Sequence, residues 1–477
     1  VETLVSIVKA CGRVGAIDKG KQIHDEIVRC GLQDKNDVAL SNALIDMYLK
    51  CGKPVRAQEV LHELPFHDIG SWNVLIAGYV RQGQGEEALN CFQQIRRESL
   101  CSDVVTFLCI LKACSIAGTI EKGKQIHEEI LSRGLLKMEV VLGNAIIDMY
   151  AKCGSLERAR KVAEELPLRN IISWSTLIAG YVQWGKDSAA LNCFEQMKRE
   201  GVSPDAVTFI CILKACGHMR VIDKGKQIHD EIVKRGFLGK DAVLGSALVD
   251  MYVKCGELIK ARQVLEELPI RNTVTWSALI SGYAQQGKGH EAVKCFEQMQ
   301  DEGLSPNAIT FTCLLNACGS TGALEKGKQI HEHIVNQGLL NKDTMLGNAL
   351  VDMYAKCGMM LKAQEVLEEI PSRDIVSWSS LISGYAQHGQ GNEALNCFEW
   401  MQIEGINPNM VTFICLLKAC GSTGALDKGK QIHDEIVTRG LLEKEIMLGN
   451  ALVDMYAKCG ELSRAREVLK ELPLRNA

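Results

Sequence analysis

Apolar side chains recur along the chain at helical spacing, in pairs of stripes separated by glycine. In residues 69–103 the first stripe consists of Trp72, Leu75, Ile76, Tyr79 and Val80. After Gly83 and Gly85, a second stripe consists of Ala88, Leu89, Phe92 and Ile95. The i, i+3, i+4 spacing predicts amphipathic helices, and the glycines predict a turn between them. No stretch alternates apolar and polar residues as a strand does, so the pattern predicts an all-α chain of helical hairpins.

The hairpins belong to a repeat with a step of 102 residues, which the first-stripe tryptophans mark: Trp72, Trp174, Trp276 and Trp378. Each step divides into units of 35, 36 and 31 residues, as in 171–205, 206–241 and 242–272. A single hairpin cannot bury its own apolar stripe, whereas stacked copies can. The periodicity therefore predicts an α-solenoid.

Composition adds few constraints on function. The 477 residues carry a net charge of −4, so a nucleic-acid-binding protein of this composition would have to concentrate its cations on one surface. No apolar segment reaches the length of about 20 residues that a membrane helix needs. Because residue 1 falls inside a repeat, we expect the chain to be a segment of a longer array.

Of the 20 cysteines, all but Cys30 and Cys101 follow the repeat. Such regular placement favours reduced side chains that pack as small apolar groups.

A His-x-Glu pattern recurs in four of five copies of the segment KQIHDEIV, as at His24/Glu26 and His127/Glu129. This is half of the zinc signature of nucleobase deaminases, which also requires Pro-Cys-x-x-Cys. The chain contains no Cys-x-x-Cys. His127 flanks the apolar face formed by Ile126 and Ile130, so we interpret it as a helix-surface residue. The sequence therefore predicts no metal site, no cofactor and no enzymatic activity.

The units resemble pentatricopeptide repeats of the PLS subclass, in which 35-residue P, 36-residue L and 31-residue S units alternate. The resemblance rests on SWNVLIAGYVRQGQGEEALNCF (P), VTFLCILKACSIAGTIEKGKQIH (L) and VLGNAIIDMYAKCGSLERARKV (S), and it covers the whole chain. It implies one array with the order L 1–37, S 38–68, and PLS triplets 69–170, 171–272, 273–374 and 375–476.

The resemblance implies a right-handed superhelix that binds single-stranded RNA, one base per unit, in a plant mitochondrion or chloroplast. Arrays of this subclass specify sites of C-to-U editing. The editing step would come from a deaminase domain in cis or in trans, and other editing factors are the further partners that the resemblance implies. No deaminase motif lies within these 477 residues.

Two positions of each P and S unit vary only between small polar residues, as expected for groups that distinguish base edges. The fifth residues are Asn42, Asn73, Asn144, Ser175, Ser246, Ser277, Asn348, Ser379 and Asn450. The last residues are, in the same order, Asp68, Asp103, Asn170, Asp205, Asn272, Asn307, Asp374, Asn409 and Asn476. An Asp or Asn before a helix is also an ordinary N-cap, and this alternative applies to all the last residues.

In the family, the fifth and last residues of a unit act as a reading pair. Asn with Asp implies uracil, Asn with Asn a pyrimidine, Ser or Thr with Asp guanine, and Ser or Thr with Asn adenine. Four L units have apolar fifth residues and are expected to be spacers or weak readers, whereas Thr312 with Asp343 is expected to read guanine. The implied target is 5′-nUUnYGnAA(G/n)UAnY-3′.

The second residue of each unit would flank the base, and we call these wedge residues. They include Val141, Ile172, Val243, Val274, Met345, Val376 and Met447. Gly70 departs from this pattern, which puts the base contact near Asn73 in doubt. The competing function is a protein-binding scaffold of helical repeats, whose partner binding would not respond to changes in the reading pairs.

Overall fold

The computed structural model describes residues 2–30, 38–64, 67–137, 139–239, 241–340, 343–442 and 446–471. Within these ranges every regular element is helical, including a short 3-10 turn at Leu135–Lys137. The prediction of an all-α chain of helical hairpins is therefore confirmed. The chain divides into two compact units, Val1–Arg235 and Gly236–Ala477, so its description as one array stays a prediction.

Both compact units are built from pairs of helices of about three turns each. The helices of the first are α1 (Glu2–Val14), α2 (Ile17–Arg29), α3 (Val38–Lys50), α4 (Pro54–His62), α5 (Ile69–Arg81), α6 (Gly85–Arg97), α7 (Val104–Ala117), α8 (Ile120–Ser132), α9 (Val140–Lys152), α10 (Leu156–Glu165), α11 (Ile171–Gln183), α12 (Asp187–Arg199), α13 (Ala206–Met219) and α14 (Ile222–Lys234). Those of the second are α15 (Ala242–Lys254), α16 (Leu258–Glu267), α17 (Thr273–Gln285), α18 (Gly289–Asp301), α19 (Ala308–Thr321), α20 (Leu324–Asn336), α21 (Thr344–Lys356), α22 (Met360–Glu369), α23 (Ile375–Gln387), α24 (Gly391–Ile403), α25 (Met410–Thr423), α26 (Leu426–Thr438), α27 (Ile446–Lys458) and α28 (Leu462–Glu471).

The odd-numbered helices are the first helices of the hairpins and pack on one another in sequence, α1 on α3, α3 on α5 and so on within each compact unit. Within each compact unit, the even-numbered helices pack on the first helix of their own hairpin and on that of the next. Large apolar side chains such as Trp72, Phe107 and Phe311 are at most 1% exposed between these layers. Stacking therefore supplies the core, and each first helix begins at a fixed place relative to its neighbours.

Four histidines of the KQIHDEIV copies are buried (His24, His229, His331 and His433), so the interpretation of this histidine as a helix-surface residue is wrong for them, whereas His127 is half-buried. His24 is 1% and His433 5% exposed. The His24 Nδ1 lies 2.9 Å from the Tyr48 hydroxyl, and the same pairing joins His127, His331 and His433 to tyrosines of the next hairpin. Burial lowers the pKa of His24, which favours the neutral imidazole. The repeated segment thus has a packing role between hairpins.

All 20 cysteines are free thiols, including the 18 whose regular placement predicted reduced side chains. Two repeating series are buried among apolar side chains: Cys11, Cys114, Cys216, Cys318 and Cys420, and Cys91, Cys193, Cys295 and Cys397. Burial raises the pKa of Cys91 to about 12, so this thiol stays protonated and acts as an apolar packing group.

The first helix of each L unit is followed by a residue in the left-handed region, and this residue is Gly15, Gly118, Gly322 or Gly424 in four copies. In the remaining copy, the third L unit along the chain, Arg220 adopts this conformation with φ of 55°. A residue with a Cβ atom pays roughly 1–2 kcal/mol there. The Arg220 copy therefore contains a local strain that the other four lack.

We predict that Arg220→Gly raises the free energy of unfolding by about 0.5–1 kcal/mol, because the relief of strain exceeds the extra entropy of glycine in the unfolded chain. Gly322→Ala should lower it by about 1 kcal/mol. Since a Cβ at Gly322 would meet no atom within 4 Å, only backbone strain would act there. Urea unfolding of the variants measures both effects. A loss of stability in Arg220→Gly would contradict the strain.

Candidate nucleic-acid interface

An exposed apolar side chain stands at the second position of successive units, in the first turn of each first helix. The seven predicted wedge residues are 51–64% exposed: Val141, Ile172, Val243, Val274, Met345, Val376 and Met447. The L units, for which no such residue was named, present Val105, Val207, Ile309 and Val411 at 49–64% exposure. A recurring apolar side chain that stays largely exposed marks a candidate surface for a ligand. Gly70 has no side chain to offer, so the doubt about its unit remains.

The last residues of P and S units are N-caps of the following first helix. Asp103 Oδ1 accepts a hydrogen bond of 2.8 Å from the backbone N–H of Thr106, three residues on. The same cap is made by Asp68, Asn170, Asp205, Asn272, Asn307, Asp374 and Asn409. The capping alternative raised by the sequence is thus confirmed. It does not compete with a reading role, because the cap occupies only one of the two polar atoms of each side chain.

Four reading pairs are joined by a direct hydrogen bond. The Asn73 amide donates to Asp103 Oδ1 at 3.0 Å, and the Asn348 amide donates to Asp374 Oδ1 and Oδ2 at 3.1 and 3.0 Å. The other two pairs are Asn144 with Asn170 and Ser246 with Asn272, each at 3.4 Å. The pairs link side chains that are 26 or 30 residues apart, across the boundary between hairpins.

A hydroxyl at the third position of the following unit completes this arrangement. The Thr106 hydroxyl donates at 2.8 Å to Asn73 Oδ1 and is also 2.8 Å from Asp103 Oδ1. Equivalent side chains follow the first eight of the nine P and S units, and we call them boundary hydroxyls: Ser71, Thr106, Ser173, Thr208, Thr275, Thr310, Ser377 and Thr412. After L units the same position is a buried leucine: Leu40, Leu142, Leu244, Leu346 and Leu448. This alternation was not predicted, although the repeated Ser/Thr and Leu at the third position are visible in the sequence.

Two further reading pairs are connected through a boundary hydroxyl. The Thr310 hydroxyl lies 2.6 Å from the Ser277 hydroxyl and 2.9 Å from Asn307 Oδ1. Ser379, Thr412 and Asn409 repeat this geometry at 2.7 and 2.9 Å. In these two pairs the serine does not reach its partner directly, and the boundary hydroxyl spans the remaining distance.

The remaining predicted pairs are not joined by hydrogen bonds in the described part of the chain. The Ser175 hydroxyl donates instead to the Ile172 carbonyl at 3.2 Å, while Asp205 caps its helix. Asn42 and Asp68, both described, are not joined to each other, and Asn450 is exposed with its partner Asn476 outside the described residues.

The L unit with a polar fifth residue also lacks a joined pair. The Thr312 hydroxyl donates to the Ala308 carbonyl at 2.9 Å, and Asp343 Oδ1 accepts from the Met345 N–H at 2.9 Å. With Leu346 at the boundary position, no hydroxyl is available to connect them. The reading of guanine by Thr312 and Asp343 therefore stays a prediction without geometric support.

The reading pairs are set just below the surface. Fifth residues such as Asn73, Ser277 and Asn348 are 6–9% exposed, so that only an edge of each side chain is open. Burial alone would raise the pKa of Asp103, but hydrogen bonds from Thr106 and Asn73 outweigh it and hold that pKa below its usual value. Asp374 shows the same balance with Ser377 and Asn348. Both carboxyl groups are thus acceptors at neutral pH.

Two fifth residues have a buried acceptor without a partner among the described residues: Asn42 Oδ1 and Asn348 Oδ1. A buried amide oxygen left unpaired costs about 1–3 kcal/mol. Unpaired polar atoms of this kind need an explanation, and a donor from a bound ligand would supply one.

Neither a metal site nor a membrane span is found in the described residues. They hold no group of three or more His, Cys, Asp or Glu side chains that could bind a metal ion. Among them, no helix is long and apolar enough to cross a bilayer.

Comparison with known proteins identifies the family. A sequence model of the PPR repeat family matches residues 67–116, 169–218, 271–320 and 373–422. The model described as the PPR repeat matches residues 40–69, 144–171, 246–272, 309–339, 348–375, 411–441 and 450–476. The chain belongs to the pentatricopeptide repeat family, as its sequence predicted.

Three relatives from Arabidopsis thaliana are pentatricopeptide repeat-containing proteins, each 34% identical to this chain. The alignment with the first covers 99% of this chain and 67% of the relative. A relative named as mitochondrial is aligned over 99% of this chain and 46% of its own length, and one named as chloroplastic over 96% and 73%. Their names carry the organellar location that the resemblance implied.

Solved structures of a family member have the same fold. The crystal structure of the maize pentatricopeptide repeat protein PPR10 has a TM-score of 0.69 at 21% identity, covering 98% of this chain and 73% of that one. The structure of PPR10 in complex with an 18-nucleotide psaJ RNA element has a TM-score of 0.61 at 17% identity, with 99% and 73% covered.

We predict that Thr106→Val destabilises the chain by about 1–3 kcal/mol, because it leaves the buried Asn73 Oδ1 without its donor. Thr438→Val is the matched control, since the Thr438 hydroxyl is exposed and donates only to a carbonyl of its own helix. An exposed substitution of this kind changes stability by no more than about 0.5 kcal/mol. Urea unfolding compares them. Equal midpoints would show that the boundary hydroxyl does not stabilise the reading pair.

Proposed function

We propose that this chain binds single-stranded RNA sequence-specifically, with one base read by each P or S unit. The observation that carries the proposal is the recurring reading pair, held across each boundary by a cap and flanked by exposed wedge residues. In this view the wedge residues of consecutive units, such as Val141 and Ile172, contact the two faces of one base. The reading pair between them, here Asn144 and Asn170, contacts the base edge.

The chemistry of the last residue accounts for the predicted preferences. An ionised Asp only accepts, so it suits uracil and guanine, which present an N–H on the Watson–Crick edge. Asn can turn an amide donor toward the ring nitrogen acceptors of adenine and cytosine. The cap supports this assignment because it engages Oδ1 and leaves the second atom of residues such as Asp103 and Asn307 for the base.

The PLS order, the target 5′-nUUnYGnAA(G/n)UAnY-3′ and the role in organellar C-to-U editing belong to the same proposal. The alternation of boundary hydroxyls with leucine supports the division into P and S units on one side and L units on the other. The deamination step is assigned to a separate deaminase activity, since no site for it is found in the described residues.

We predict that Ser175→Asn, with Asp205 kept, shifts the preference at the sixth base of the target from guanine toward uracil. The amide brings a carbonyl and two N–H groups to an edge where serine offers one hydroxyl. One good edge contact discriminates by about 1–3 kcal/mol, so the ratio of affinities for the two RNAs should change at least about fivefold. Gel-shift titration against four RNAs that differ only at the sixth base measures it.

Ser175→Thr is the control for this experiment, because it keeps the hydroxyl and should keep the preference for guanine. A protein-binding scaffold would show no retention of any of these RNAs at moderate salt. Tight binding with the same base preference in all three proteins would refute the reading role of Ser175.

A further inference from the structure

The first helices of four L units each carry one lysine at the ninth position of the unit: Lys9, Lys112, Lys214 and Lys418. All four are exposed. The ninth residue lies four after the fifth, so it shares the helix face that bears the reading position in P and S units. These units also have apolar fifth residues, so a base edge finds no hydrogen-bonding partner at the reading position.

These lysines differ from the other recurrent lysines of first helices, those of the S units. Lys152, Lys254, Lys356 and Lys458 each form an ion pair of 2.6–2.8 Å with the aspartate four residues earlier. Within the described residues, none of the four L-unit lysines has an ion-pair partner. The helices α7 and α25 contain no acidic residue at all, so the charge of Lys112 and Lys418 is uncompensated on its own helix.

A groove in the first compact unit brings two of these cations to a reading residue. Lys9 and Lys112 line a cavity of about 640 Å³ together with Asn42 and its neighbour Ala39. The cavity also contains Arg81 and Asp46, which form an ion pair of 3.0 Å. Among the three cations that line the cavity, Lys9 and Lys112 are therefore the two without an ion-pair partner in the described part of the chain.

The fourth L unit is an exception at both positions. It has Asn316 in place of the lysine and the polar Thr312 in place of the apolar fifth residue. The chain thus contains a natural comparison, since the cation is missing from the one L unit that has a polar fifth residue.

We propose that Lys9, Lys112, Lys214 and Lys418 bind backbone phosphates of single-stranded RNA, so that these L units hold the strand without reading it. The inference rests on the proposed RNA binding and adds a role for the units that read no base. Phosphate contacts position a nucleic acid and carry no sequence information, which fits units with Leu108 or Ile210 at the reading position.

The test is the salt dependence of RNA affinity. Each phosphate contact to a single strand contributes about −0.7 to the slope of log K against log salt. The triple variant Lys112→Gln, Lys214→Gln, Lys418→Gln should therefore flatten the slope by about 2 and weaken binding equally for all RNAs of the base panel. In the opposite direction, Asn316→Lys should steepen the slope by about 0.7.

The matched control is Lys152→Gln, Lys254→Gln, Lys356→Gln, which changes the net charge of the protein by the same amount. It removes lysines that are already paired with aspartates, so the slope should change much less. An equal change in both triple variants would show that only net charge matters and would overturn the inference. So would an unchanged slope in the L-unit variant.

The same titrations separate this inference from the proposed function. If the wild-type chain prefers its target bases but the L-unit lysines do not affect the slope, the phosphate role fails and base reading stands. If the wild-type chain retains no RNA, both fail. Because the three lysines are exposed, circular dichroism of the triple variant should show an unchanged unfolding midpoint.

Discussion

The N-cap made by the last residue of each P and S unit is the interaction on which the candidate site depends. A helix begins with N–H groups that have no partner inside it, and the cap satisfies one of them from the preceding hairpin. The contact therefore stabilises the next helix and fixes the side chain that makes it. In Asp103 the oxygen that caps the Thr106 N–H also accepts from the Asn73 amide, so that one atom joins the first helices of two successive hairpins. A group with this role in folding is held rigidly, and rigid polar groups are what base discrimination requires.

The L units have the same helical hairpin but differ from the P and S units at the boundary position and at the fifth residue. They lack boundary hydroxyls after them, they bury a leucine in that place, and four of them have apolar fifth residues. All but the first present an apolar wedge residue to the surface, and the four with apolar fifth residues carry a lysine that has no ion-pair partner among the described residues. The net charge of −4 is therefore a poor guide to the charge of this surface. The lysines in the first helices of S units, such as Lys152, are paired with an aspartate four residues earlier. In the proposed RNA binding, the relevant charges are those of the L-unit lysines, which have no ion-pair partner among the described residues.

Much of the fold could be predicted because it depends on local patterns that are repeated. The apolar stripes and the turn glycines predict the hairpins, and repetition separates real signals from chance. The position of His24 was predicted wrongly because the stripe of its own helix says nothing about Tyr48, which reaches it from the next hairpin. The restricted variation between small polar residues pointed to both positions, but their pairing across 26 or 30 residues came only from the family resemblance. Thr106 was overlooked because a threonine in a first turn has no special meaning until its two neighbours are placed around it.

The alternation of boundary hydroxyls with leucine limits how such arrays can be rearranged. A P or S unit carries half of its polar network, and the rest belongs to whatever follows it. If a single P or S unit were moved in front of a unit with leucine at its third position, the amide of its fifth residue would face a hydrocarbon side chain and lose its hydrogen-bonding partner. The smallest segment that can be transplanted with all its contacts intact is therefore longer than one repeat. Gene recombination, and the design of chimeric arrays, should succeed most often where the junction keeps the same type of residue, hydroxyl or leucine, at the third position of the following unit.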